Sequence, residues 1–189
     1  MTAARTGNQA VVTALVDKGA KVDATEPVAG QTALLWALSE RHLPVARTLV
    51  ERGASVQQAS KAGFTPLMMA ARFGQRDAAA YLLEKGAAIN AVDSDGLDAL
   101  MVAVMRGQTA MAHFLLEKGA DVNAADLDGV NALTDAARCG HAQIVKLLLE
   151  NKAGITISNG SFKEKQLVLA ALQDDLTRVK QLLSVGASV

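Results

Sequence analysis

Apolar residues recur along this chain at the spacing of helices, not of strands. Residues 144–150 show the pattern: Ile144, Val145, Leu148 and Leu149 fall on one helix face, and Lys146 and Glu150 remain for solvent. One position in this pattern is leucine again and again, at Leu15, Leu49, Leu82, Leu115, Leu148 and Leu182, with a nearly constant interval between them. A single short helix pair cannot bury such a face alone, so a leucine column of this period predicts consecutive pairs pressed against one another. The expected fold is all-α, a linear stack whose cohesion runs from neighbour to neighbour.

Small residues punctuate the same period. Gly30, Gly63, Gly96 and Gly129 recur at a constant period of 33. The pairs Gly19-Ala20, Gly53-Ala54, Gly86-Ala87 and Gly119-Ala120 form a second register, extended by Lys152-Ala153 and Gly186-Ala187, so six units fit in the chain. A break at Gly7, Arg41, Gly74, Gly107, Gly140 and Asp174 precedes each of these pairs by the same interval in every unit. Only the stretches Gly19 to Thr32 and Lys152 to Lys165 exceed their counterparts, each by a single position, which places the extra residue in a connecting loop and leaves helix register intact. Glycine at a helix C-terminus adopts the left-handed conformation without steric penalty. Lys152 stands where the other units have glycine, at a cost of roughly 1 kcal/mol. That predicts a looser fifth turn, with Gly154 taking over the role. Pro44 falls near the start of the second helix of its unit, where a missing N–H costs nothing, so it reads as an initiator.

Composition narrows the function classes. Aromatic residues make up only 3% of the chain, which suits closely spaced helices better than a twisted sheet. Nineteen basic residues balance nineteen acidic ones, so no net field draws the chain toward nucleic acid or an anionic membrane. Cys139 is the one cysteine, which rules out an internal disulfide and fits a reducing compartment. No apolar run reaches the length of a spanning helix and no secretory leader follows Met1, so the chain reads as cytoplasmic.

Candidate chemistry is sparse. His42, His113 and His141 each fall in the second-helix region of a different unit, with no ligand set around them, and read as structural. Cys139 would need a lowered pKa to react, for instance from Arg138; a plain small residue is the simpler reading. The pairs Asp93/Asp95 and Asp126/Asp128 precede Gly96 and Gly129 and read as turn formers, and Asp174/Asp175 adds nothing catalytic. The glycines are too far apart for a nucleotide loop. No nucleophile, base and oxyanion donor can be assembled, so the chain is expected to be neither an enzyme nor a holder of cofactor or metal.

The period of 33, the box Thr65-Pro66-Leu67-Met68-Met69-Ala70-Ala71, and the endings Gly86-Ala87-Ala88-Ile89-Asn90-Ala91 and Gly119-Ala120-Asp121-Val122-Asn123-Ala124 resemble the ankyrin-repeat family. The resemblance covers the whole chain and implies an ankyrin-repeat solenoid: antiparallel helix-turn-helix units with β-hairpin-like fingers, stacked in a curved array whose concave face binds partner proteins. The repeats would fall at about 1–24, 25–57, 58–90, 91–123, 124–157 and 158–189, as one domain over 1–189. The family's histidine after the box leucine is replaced by Leu35, Met68, Met101, Thr134 and Val168, so its inter-repeat hydrogen bond is expected to be absent and packing to substitute for it. Proline is kept only at Pro66, with Ala33, Ala99 and Ala132 at the equivalent places. Arg178 and Gln181 stand where Ile144 and Leu147 stand one repeat earlier, which reads as a polar terminal cap. The first unit enters near the end of a first helix, so the array is expected to continue upstream in a longer parent. Its open side would expose apolar surface able to self-associate.

Mapping the family's variable positions onto this chain selects the fingers, their tips and the ends of the first helices. Phe64, Phe73, Leu97, Met105, Leu127 and Val130 are expected to form an apolar strip, with Arg72, Arg106 and Arg138 in register along it. Gln31, Glu40, Lys61, Ser94, Asp95, Asp128 and Cys139 border it. An apolar centre with arginine anchors is the anatomy of a protein-binding patch. The resemblance implies a scaffold or adaptor binding an unidentified protein; a regulatory segment of a larger enzyme is the rival.

Overall fold

The structure, a computed structural model, describes residues 1–154. The expected sixth repeat, with Leu182, Arg178, Gln181, Val168 and the Asp174/Asp175 pair, lies outside the described residues. The described helices, in order, are α1 (Thr2–Arg5), α2 (Gln9–Asp17), α3 (Ala33–Ser39), α4 (Leu43–Glu51), α5 (Pro66–Arg72), α6 (Arg76–Glu84), α7 (Ala99–Met105), α8 (Thr109–Glu117), α9 (Ala132–Arg138) and α10 (Ala142–Glu150).

A polar residue ahead of each short apolar run starts the first helix of its pair. Thr32, Thr65, Asp98 and Asn131 accept hydrogen bonds from the backbone N–H three residues on, at 3.2, 3.2, 2.8 and 3.0 Å, and open α3, α5, α7 and α9. All four caps are buried. Pro44 lies in the first turn of α4 and Pro66 in that of α5, as initiators. Helices of seven and nine residues are marginal alone, so packing must hold them.

That packing forms two layers. First helices α1, α3, α5, α7 and α9 lie side by side, second helices α2, α4, α6, α8 and α10 form the other layer, and each pair is antiparallel across the break. Buried Ala37, Ala70, Ala71, Ala103 and Ala136 let the first helices approach closely. Cations of one second helix cover rings of the next: Arg47 lies 4.4 Å from the Tyr81 ring centre and Arg76 5.3 Å from that of Phe114. Leu49, Leu82, Leu115 and Leu148 are all at most 2% exposed. Leu15 is 47% exposed and departs from the column. Among the described residues its helix has a second-layer neighbour only at α4, whereas α4, α6 and α8 have one on both sides.

Hydrogen bonds also join the repeats at the fingers, loops and breaks, away from the position of the family histidine. At the fingers, Lys61 N donates to Ala29 O (2.9 Å), Ser94 N to Ala62 O (3.0 Å) and Leu127 N to Asp95 O (3.0 Å). Between loops, Asp23 accepts from Ser55 N (3.0 Å), Gln57 from Ala88 N (3.3 Å), Asn90 from Asp121 N (3.0 Å) and Asn123 from Gly154 N (2.6 Å). At the breaks, His42 Nε2 lies 3.2 Å from Arg5 O and Gln75 Nε2 donates to Leu38 O at 2.6 Å. Gly63 shows why the finger ladder needs glycine: φ is +78°, and a Cβ there would sit 2.8 Å from Asp93 Cα of the next finger.

The fifth turn is not looser than the others. Lys152 itself takes φ +63°, and its N–H reaches Leu149 O at 3.0 Å, as Gly53 N reaches Val50 O at 3.0 Å. Closing bonds to two helix carbonyls hold the lysine in the left-handed region, so Gly154 does not take over the role and serves as a rung to Asn123. Among the described residues no helix is long and apolar enough to cross a membrane.

Candidate protein-binding face

Each finger is a tight loop stapled by one side chain. Asp93 Oδ1 accepts from Asp95 N and Leu97 N, both at 2.9 Å; Asp126 Oδ1 accepts from Asp128 N (3.0 Å) and Val130 N (2.8 Å). These are the turn-forming acids expected from sequence. Glu26 does the same for the first described finger, accepting from Val28, Ala29 and Gln31. Those N–H groups, that of Gln31 foremost, hold its carboxyl below the usual range.

The staples leave the finger tips beside the ends of the first helices, and there the predicted residues divide. Leu127 is 79% exposed and Met105 44% exposed. Arg72, Arg106 and Arg138 are exposed at or just past the ends of α5, α7 and α9. Phe64, Phe73 and Leu97 are half-buried and packed against the core. Phe73 has Arg41 at 5.6 Å and Arg72 at 5.8 Å from its ring centre. Val130 is half-buried and closes its finger, its carbonyl accepting from Asp126 N at 2.9 Å. The apolar strip is therefore uneven, open toward α7 and α9 and withdrawn near α5.

A hollow of about 630 Å³ lies at the open end. Asp95 and Leu97 of one finger and Asp126, Leu127 and Asp128 of the next form one wall; Met105, Asp135, Arg138 and Cys139 form the other. Four of the nine predicted site residues meet here: Leu97, Met105, Leu127 and Arg138. Phe64, Arg72, Phe73, Arg106 and Val130 do not line it.

Asp135 is the member that sequence reading missed. It is buried, and burial pushes its carboxyl above the usual range; Arg138 opposes this and Asp126 reinforces it. The available signal was register. The residue four places past each first-helix cap is Trp36, Met69, Val102 and then Asp135, so an acid breaks an apolar series. Cys139 is exposed, and its thiol is pushed up by partial burial and by Asp135, with Arg138 only partly offsetting them. That is the environment of an unreactive thiol. His42 and His141 precede α4 and α10, and His113 stands on α8 with Nδ1 3.5 Å from Glu117. Among the described residues no three His, Cys, Asp or Glu are grouped to hold a metal ion.

Comparison with known proteins agrees with the stacked helix pairs. A family profile described as ankyrin repeats (3 copies) matches residues 1–93 and again 87–159. A stretch of 77 residues, 40% of this chain, is 39% identical to part of diacylglycerol kinase iota of Rattus norvegicus. The chain spans only 7% of that relative's length. Ankyrin repeats are generally protein–protein interaction modules and typically not enzymes. With most of its length matched by the profile and its helix pairs stacked in one direction, this chain belongs to the ankyrin-repeat family.

Proposed function

We propose that this chain is a recognition module that binds a protein partner through the concave side made by its fingers and first-helix ends. The observation that carries the reading is the pair Leu127 and Met105, large apolar side chains left exposed with Arg138 at the hollow, next to the exposed Arg106 that follows Met105 in the chain. Exposed apolar groups flanked by arginine are what partner interfaces bury at their centres. The ladders beneath hold these groups on a fixed frame, so binding proceeds with little change of shape.

The test is a protein carrying Met105→Ala, Arg106→Ala and Leu127→Ala, used to capture partners from a lysate of the source organism. Captured proteins should fall to background while the melting temperature stays within about 3 °C of the parent, since exposed substitutions cost little. Unchanged capture would refute the reading. Phe64 and Leu97 are unsuitable for this purpose because they pack on the core.

A further inference from the structure

Asp135 occupies a position that α5 and α7 fill with Met69 and Val102, and all three are at most 7% exposed. Apolar side chains there fill space. A carboxylate at the same depth carries a desolvation cost without filling it better, so packing does not account for it. Its polar contact among the described residues is Arg138 Nη1 at 3.6 Å, beyond hydrogen-bond length, and the Arg138 side chain is more than half exposed. Asp135 thus lines the hollow, paired to Arg138 at ion-pair distance and taking no hydrogen bond from a described protein group. Asp95 and Asp126 stand on the opposite wall, so acids outnumber the one lining arginine. Leu127 and Met105 supply an apolar surface at the same opening.

We propose that this hollow takes a cationic side chain, lysine or arginine, from a partner polypeptide, with an adjacent apolar residue of that partner resting on Leu127 and Met105. The inference rests on the concave-side reading above and specifies the partner's chemistry. An entering guanidinium or ammonium gives the largely buried Asp135 carboxylate charge-assisted hydrogen bonds in place of water. Arg138 turns to solvent, which its long exposed side chain permits. Asp95 and Asp126 favour the approach of a cation and oppose that of an acidic side chain. Arg72 and Arg106 lie outside the lining, so the basic row does not cancel this local preference.

Selection of a random dodecapeptide display library on the folded chain tests the proposal, with Asp135→Asn, Asp135→Val and the double variant Met105→Ala/Leu127→Ala selected in parallel. Asp135→Asn and Asp135→Val should melt no lower than the parent, because each removes a poorly paired buried charge, so lost binding is not lost folding. The expected winners carry lysine or arginine next to a large apolar residue. Their synthetic copies should bind each of the three variants roughly tenfold or more weakly than the parent. Peptides that lose binding to the double variant but not to Asp135→Asn, or that show no cationic enrichment, overturn the cationic slot and leave the concave-side reading standing. Peptides indifferent to all three variants overturn both, and a selection that yields no binder overturns the slot.

Discussion

The two sides of the stack treat the same repeat period differently. In the second-helix layer the column Leu49, Leu82, Leu115 and Leu148 repeats without change and is buried throughout. On the finger side the series Trp36, Met69, Val102, Asp135 changes chemistry at its last described member, and there a hollow opens. Positions that hold neighbouring repeats together are under the same packing demand each time, so they repeat. Positions beside the hollow are released from that demand and are free to vary. Leu15 confirms the rule from the other direction. It keeps the repeated identity, but without second helices on both sides it is half exposed and takes little part in cohesion.

The largest effect should come from breaking the cohesive side. Leu82→Ala, at a site 1% exposed, is expected to lower unfolding free energy by about 2–5 kcal/mol in urea denaturation. Leu15→Ala should cost less than about 1 kcal/mol by the same measurement. Equal costs would mean that the column does not gain its stability from flanking repeats.

A smaller effect should sharpen the contrast between two caps at the same register. Asn131 Nδ2 donates to Gly154 O at 2.8 Å, while its counterpart Asp98 buries Oδ2 with no partner. Burial pushes the Asp98 carboxyl up; the Met101 and Leu100 N–H groups oppose this, and Asp121 adds to it. A carboxyl raised in the folded state binds its proton more tightly there than in the unfolded chain. The resulting stability is fully present below the ordinary value of 3.8 and is lost as pH rises through the raised value. Asp98→Asn should therefore gain about 1 kcal/mol at neutral pH, with the gain shrinking as the pH of the melt is lowered toward 4. A gain that is constant across that range would show that ionisation of Asp98 is not its source.

Much of the fold was legible because a repeat states its packing demands several times over. The leucine column, the finger glycines and the turn-forming Asp93 and Asp126 all recur at one interval, and periodicity alone exposes them. The rungs between repeats were hidden because geometry repeats there while identity does not. His42 and Gln75 play one part, and Asp23, Gln57, Asn90 and Asn123 another. The candidate face was legible in outline: Met105, Leu127 and Arg138 meet at one opening. How far Phe64, Phe73 and Leu97 sink toward the core depends on how adjacent fingers nest, which one repeat's sequence does not encode. Asp135 was legible as a break in an apolar series, and its burial was not.

Neighbour-to-neighbour cohesion is tested most directly by two double-mutant cycles in chemical denaturation, Leu82→Ala with Leu115→Ala in adjacent repeats, and Leu49→Ala with Leu148→Ala three repeats apart. The adjacent pair should deviate from additivity by at least about 0.5 kcal/mol and the distant pair should add within about 0.5 kcal/mol. Coupling of the distant pair as strong as that of the adjacent one would contradict a linear array and require a shared central core.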